Sequence, residues 1–413
     1  MALLDTYKAL CAVGFLARAS YALARTPVLP LFALYLGAGP EAIGFIVGIS
    51  TVTGIFFKLP AGALSDLIGR KKTLLAGLVV FAVMPFTYLL VGNYQLLILI
   101  RFLHGFATAI YGPVAMAVVM DAAGGRKGEM LSWFSSVTII GNLVGAPVGG
   151  FILYRLATGA PALLDFQVVY LASGVAGLMS LVLALTILRG KETVARSRGL
   201  KESLDRFASG IREVLSDRRV VVTSSMEGLQ NMTVGALEAF LPIYAVKVAG
   251  LNEFQAGLLW GVQVLVTILS KPLMGRTSDR YGRRPLITAG MVLCALSFGA
   301  IPLLQNFYLL LITASCFGLG EALVTSSTAA LVADICEQRH FGTAMGTFGT
   351  IFDVGHAAGP IVAGILLARM DYIQSFWIMG AALLASTPVF LLTVKYEGLS
   401  EPEEVPKIRI SQT

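Results

Sequence analysis

Long apolar segments alternate with short polar breaks along the whole chain. They fall at 8–36, 41–63, 73–92, 94–121, 129–154, 166–188, 219–247, 253–276, 285–304, 307–335, 341–368 and 372–395. Each is long enough to cross a ~30 Å hydrocarbon core as a helix rising ~1.5 Å per residue. None alternates with period two, and each is about twice the length a barrel strand needs, so a β-barrel is excluded. The pattern predicts an all-α membrane protein with twelve spans.

Lys and Arg set the orientation. With the N-terminus inside, the inner side receives 23 of them and the outer side three: Arg155, Lys247 and Arg369. Nine of the 23 lie between residues 189 and 219. Cytoplasmic segments carry the basic excess in membrane proteins, so both termini are expected in the cytoplasm. The same bias accounts for the net charge of +7 without any nucleic-acid partner. The first apolar segment runs past Leu36, is interrupted by Arg18 and Arg25, and is followed by no cleavage site. It reads as a first span rather than a signal peptide.

Composition adds exclusions. Charged residues are 13% of the chain, about half the ~25% of soluble domains. The mean hydropathy is +0.79, the opposite of a disordered chain. Cys11, Cys294, Cys316 and Cys336 show no CxxC spacing and read as core thiols.

Between spans six and seven, Leu200, Leu204, Phe207, Ile211, Val214 and Leu215 recur at spacings of three and four, with charges between them. This predicts either an amphipathic helix on the inner membrane surface or a solvated linker helix. The chain also repeats itself. Gly62, Ser65, Asp66, Gly69, Arg70 and Lys71 return 213 residues later as Gly275, Ser278, Asp279, Gly282, Arg283 and Arg284. Asp121 and Asp334 keep that offset, and Gly141, Gly145 and Gly150 return as Gly355, Gly359 and Gly364 at 214. A constant offset implies a duplicated six-span unit, a usual build for transporters with a midplane site. The domains are expected at 1–188 and 219–395, two six-helix bundles, with a cytoplasmic linker at 189–218 and a cytoplasmic tail at 396–413.

The loop after span two, Gly-Ala-Leu-Ser-Asp-Leu-Ile-Gly-Arg-Lys-Lys from Gly62 to Lys72, resembles the signature loop of the major facilitator superfamily. Its second copy, Gly275 to Arg284, lies at the equivalent loop between spans eight and nine. Leu67 departs from the usual basic residue, which the second copy has as Arg280. Arg101-Phe-Leu-His-Gly105 is similar to that family's Arg-x-x-x-Gly motif, whose arginine is linked to proton coupling. Gly141 to Gly150 resembles the motif of its proton-coupled drug and organic-solute exporters, with Pro147 one position late. Such glycine faces also serve as packing seams. The resemblance implies twelve helices in two pseudo-symmetric bundles, a cavity lined by spans one, four, seven and ten, and an Asp66 that helps lock one conformation. The plainer reading of that loop is a topology anchor.

Ionisable residues inside spans are costly and usually face a cavity. Here span one holds Arg18 and Arg25, with Tyr21 on the same face. Span four holds Arg101 and His104; span seven Glu227 and Glu238, with Asn231; span ten Glu321; span eleven Asp353 and His356. These eleven residues are the candidate substrate and ion cavity. Lys58 and Lys271 sit near inner ends and are expected to snorkel. Bases dominate the first half and acids the second. Three roles fit: ion pairs between halves that close a gate, a protonatable coupling site among Glu238, Glu321 and Asp353 with Arg101, or a basic wall of Arg18, Arg25 and Arg101 for an anionic or zwitterionic substrate. Asp353, His356 and His104 are too dispersed for a metal site.

No Walker loop or nucleophile elbow occurs, so no enzyme activity is expected and no cofactor beyond a proton gradient. The expected function is alternating-access, proton-coupled export of a small amphipathic organic solute by a monomer in the lipid bilayer of a bacterial or archaeal inner membrane. The alternative is uptake or facilitated transport of an organic anion or zwitterion.

Overall fold

The structure is a computed structural model. It describes residues 2–122, 126–157, 159–187, 217–336 and 341–394, except the side chains at 2–6, 59, 63, 66, 122, 127 and 341–343. The expected surface helix, almost all of the 189–218 linker and the 396–413 tail lie outside the described residues, as does the side chain of Asp66.

Among the described residues the regular structure is entirely helical. The first bundle contains α1 (Ala2–Leu23), α2 (Val28–Tyr35), α3 (Pro40–Ile68), α4 (Arg70–Thr87), α5 (Tyr94–Ala122), α6 (Lys127–Leu156) and α7 (Leu163–Ile187). The second contains α8 (Arg218–Lys247), α9 (Glu253–Tyr281), α10 (Arg283–Ala300), α11 (Phe307–Ile335), α12 (Phe341–Leu367) and α13 (Tyr372–Thr393). Short 3₁₀ turns at Tyr88–Leu90 and Ile301–Leu303 extend α4 and α10. With α1 and α2 as one crossing, these are the twelve helices of the expected fold. Ten of the helices are apolar and long enough to span a membrane. The first crossing is split into two shorter helices, and α8 carries two buried carboxylates, Glu227 and Glu238.

The first crossing is not the single helix that its apolar run predicts. α1 stops at Leu23 and α2 resumes at Val28, with Pro27 as its N-cap residue. Proline supplies no N–H to the helical ladder, so the break falls where Arg25 and Thr26 face the second bundle. Hydropathy periodicity could not locate it, because both flanks remain apolar.

The glycine repeat has a packing meaning. In the first bundle α6 lies on α1: a Cβ on Gly141 would come 2.5 Å from the Phe15 carbonyl oxygen, and one on Gly145 would come 2.7 Å from that of Ala19. In the second bundle α12 lies on α8, with Gly355 against Gly228 and Gly359 against Met232, closer still. These are backbone-to-backbone seams that only a missing side chain permits. The third pair of the repeat points elsewhere. Gly150 faces the Glu253 carbonyl of α9, and Gly364 faces the Pro40 carbonyl of α3, each 2.5 Å from a would-be Cβ. Both contacts join the two bundles.

The bundles therefore meet through α3 against α12 and α6 against α9. Gly44 on Pro360, Gly48 on Ala357 and Gly257 on Ala146 continue the contact. All of it lies toward the end opposite the Arg70 and Arg283 loops. Pro147, displaced from the usual motif position, fills the gap over Gly261 of α9.

Candidate functional site

A cavity of about 580 Å³ lies between the bundles, inside the ~300–1,000 Å³ range of small-molecule sites. Its wall comes from α1, α3, α5 and α6 of one bundle and α8, α9 and α12 of the other. Lys58, Met116 and Asp353 carry it toward the basic end, while the glycine seams close the opposite end.

The floor is an ion-pair cluster made by three helices or helix breaks. Arg25, just past α1, pairs with Glu238 of α8, and its Nη2 donates to Glu238 Oε2 at 2.8 Å. His356 Nε2 of α12 lies 3.0 Å from the same carboxylate oxygen and 3.2 Å from Arg25 Nη2. That nitrogen either donates to Glu238 or accepts from Arg25, depending on the tautomer. Thr26 Oγ1 donates to Glu238 Oε1 at 3.2 Å. Glu238 is 2% exposed, so a charge this deep depends on its partners. A second bond between the bundles lies nearer the basic end, where Lys58 Nζ donates to Asp353 Oδ2 at 2.5 Å. Lys58 thus reaches across the cavity rather than snorkelling to the membrane surface.

Arg18, Tyr21, Arg25, Glu238, Asp353 and His356 line the cavity. Arg101, His104, Glu227, Asn231 and Glu321 do not reach its wall. They sit between helices within their own bundle, because a shared helical face does not reveal whether the facing neighbour is a helix or a void. Arg101 is 1% exposed. Its Nη2 donates to Ser50 Oγ at 2.5 Å, and it has no carboxylate partner among the described residues. Tyr21 lies between two guanidinium groups, 5.5 Å from Arg25 and 5.7 Å from Arg101, favourable cation–π distances. Its hydroxyl donates to Ser50 Oγ at 3.3 Å. His104 Nδ1 pairs with Tyr88 Oη at 3.0 Å.

The acids inside the second bundle are held by neutral groups. Thr328 Oγ1 donates to Glu227 Oε2 at 2.7 Å, and Asn231 Nδ2 to Oε1 at 3.3 Å. Gln263 Nε2 donates to Glu321 Oε2 at 2.6 Å, with Thr267 Oγ1 3.1 Å from the same atom. Neither acid makes an ion pair within 4 Å among the described residues.

The signature loops are near duplicates. Gly69 and Gly282 adopt φ of +107° and +93°, a region open to glycine. Their N–H groups donate to Ser65 and Ser278 carbonyls, both at 3.1 Å. Arg70 Nη1 lies 2.6 Å from Asp121 Oδ1, and Arg283 Nε donates to Asp334 Oδ2 at 3.1 Å. Arg283 also pairs with Asp279. Asp121 and Asp334 were visible in the sequence only as a matched pair. Lys71 and Arg284 sit beside these arginines, with Arg284 Nη2 donating to the Leu391 carbonyl at 2.6 Å. Gly62 and Gly275 lie one helical turn before the loop serines. Thr26, Ser50, Asn142, Trp260 and Phe352 also line the cavity. Being neutral, they carried no signal of buried charge.

The sequence profile described as Major Facilitator Superfamily matches residues 10–269 and 249–411. An uncharacterized MFS-type transporter of Methanocaldococcus jannaschii is 22% identical over 365 residues, 88% of this chain and 89% of its own length. The multidrug transporter MdfA of Yersinia pestis is 26% identical over 248 residues, 58% of each chain. The crystal structure of the nucleoside transporter NupG superposes with a TM-score of 0.75 at 15% identity, covering 95% of this chain and all of that one.

Proposed function

Because this chain belongs to the major facilitator superfamily, and is a membrane transporter rather than an enzyme, we propose that it exports a small amphipathic organic solute by alternating access in exchange for protons. The observation that carries this reading is the floor of the cavity. One carboxylate, Glu238, binds a cation of the opposite bundle at the point where the bundles meet. A proton on Glu238 cancels the charge that holds Arg25. The closed end then loses a tie, and the state opened at that end gains population. Solute and proton compete for the same cavity, which is the requirement for antiport. Asp353 couples through Lys58 in the same manner. Glu321 lies inside one bundle, so its proton would act on α9 and α11 rather than on the interface. Among the relatives, the multidrug transporter MdfA supports the reading of a small organic solute.

The 23-to-3 split of basic residues supports a cytoplasmic position for both termini, and the cavity then faces inward. In this reading it works as a monomer in a bacterial or archaeal inner membrane. A second reading, uptake of an organic anion or zwitterion, draws support from Arg18, which lines the cavity and has no ion-pair or hydrogen-bond partner among the described residues.

Proteoliposomes holding a trapped pH dye and challenged with a panel of amphipathic cations, anions and neutral solutes test the coupling. The wild type should move protons with at least one class. Glu238→Gln should abolish that movement while solute exchange survives. Proton movement persisting in Glu238→Gln removes Glu238 as the coupling site.

A further inference from the structure

The three cavity arginines expected from the sequence do not have equal duties. Arg25 is neutralised by Glu238. Arg101 lies behind Tyr21 and Ser50, out of the cavity wall. Lys58 is matched by Asp353. When these pairs cancel, Arg18 remains as one uncompensated guanidinium in the wall. Asn142 on α6 lines the same cavity without a hydrogen bond among the described residues. Arg18 lines it too, and α6 packs on α1 at this level: a Cβ on Gly141 would come 3.2 Å from Arg18 Cβ. Trp260, Phe352, Met116 and Ile139 supply apolar wall in the same space.

We propose that the solute is an amphipathic organic anion with a single acidic group, which Arg18 binds as its counter-charge and Asn142 supplements as a hydrogen-bond donor. A planar guanidinium matches a carboxylate or sulfonate in two-pronged fashion. The aromatic and aliphatic wall takes the rest of the molecule, and the volume admits a body of drug-like size. An organic cation of the same shape would add a like charge to a cavity already carrying one in excess. This rests on the reading of the cavity as a solute site, and it holds for export and uptake alike.

Three probes of one shape decide it: 4-phenylbutyrate, 4-phenylbutylamine and 4-phenylbutanol. Binding to the purified full chain at pH 7.5 is read as thermal stabilisation, which follows free probe over Kd. Quenching of Trp260, in a background with Trp133 and Trp377 replaced by Phe, supplies a second readout. The anion should bind at least ten-fold tighter than the amine and the alcohol. Arg18→Gln should lower anion affinity ten-fold or more, to the level of the alcohol, and leave the alcohol unchanged. Arg18→Lys should keep part of the preference, and it decides the matter if Arg18→Gln does not fold. Amine binding tighter than anion, no binding of any probe, or an anion preference that survives Arg18→Gln each overturns the proposal. Arg18-dependent anion binding in a protein whose proton movement ignores Glu238→Gln would sink the coupling mechanism and leave this inference standing.

Discussion

Ser50 and Gln263 occupy equivalent places in the two bundles, 213 residues apart, as do Gly105 and Gly318. The backbone device is the same in both. A Cβ on Gly105 would come 2.6 Å from the Ser50 carbonyl oxygen, and Gly318 crowds the Gln263 carbonyl in the same manner. The chemistry at that seam has opposite sign. In the first bundle Ser50 receives the guanidinium of Arg101, while in the second Gln263 donates to the carboxylate of Glu321. Duplication thus fixes the helix packing and leaves the interior charge free to differ. The difference matters at the interface. Two bundles with like charges on facing walls would repel, whereas a basic wall and an acidic wall permit Arg25 to meet Glu238 and Lys58 to meet Asp353.

The comparison is broken most severely through the glycine seams. Gly359 packs inside one bundle and Gly364 between bundles. Overpacking costs about 1–3 kcal/mol or more where backbone blocks relief. Gly359→Leu should therefore exceed about 3 kcal/mol and abolish folding, read as loss of monodisperse protein. Gly364→Leu should leave the bundles intact and weaken only the closed end. A cysteine at Val47, buried beside that seam, should then become reactive in a background without native cysteines. Equal damage from both substitutions would show that the bundles fold as one body.

The charges give the next effect. Arg25→Ala leaves Glu238 buried with only His356 and Thr26 as partners, and breaking a buried pair in this way costs about 3–5 kcal/mol. Glu227→Gln removes a carboxylate whose hydrogen-bond partners are neutral, and should cost no more than about 1 kcal/mol because Thr328 and Asn231 can still bond an amide. Thermal unfolding of the two variants in one detergent measures the contrast. A large loss in Glu227→Gln would mean that its charge is compensated in a way the hydrogen bonds do not reveal.

The sequence carried the spans, the repeat and the ionisable residues to within a few positions, because hydropathy and charge act locally along a helix. α8 runs Arg218–Lys247 where 219–247 is expected, and α11 runs Phe307–Ile335 as expected. It did not carry the break at Arg25–Pro27, because the apolar run resumes at once on the far side and reads as a single span. Nor did it carry partner choice. Lys58 had a plausible route to the headgroups, and only the approach of α12 gives it Asp353 instead. Arg101 and His104 share a helical face with Thr108 and Tyr111, yet of these four only Thr108 lines the cavity. Depth behind a wall is a property of the neighbouring helix, and a single helix cannot encode it. Asn142 and Trp260 were illegible for the simpler reason that neutral side chains occur in every span.

The smallest effect is expected where the two bundles agree. The Arg70–Asp121 and Arg283–Asp334 pairs tie each signature loop to the end of the fourth helical crossing of its bundle. The Asp121 and Asp334 side chains are 63% and 57% exposed, so solvent screens both pairs, and each is worth about 0–1 kcal/mol. Asp121→Asn and Asp334→Asn should lower the unfolding temperature slightly and equally, and the loss should shrink as salt rises. The proposed gating role has a different signature. If the loop contacts hold this conformation in preference to another, exchange rates should change in both mutants by more than the stability loss accounts for. A rate change confined to one mutant would mean that only one loop gates the cycle, despite matching backbone geometry at Gly69 and Gly282. Unchanged rates in both would reduce the loops to anchors that keep basic residues on one side of the membrane.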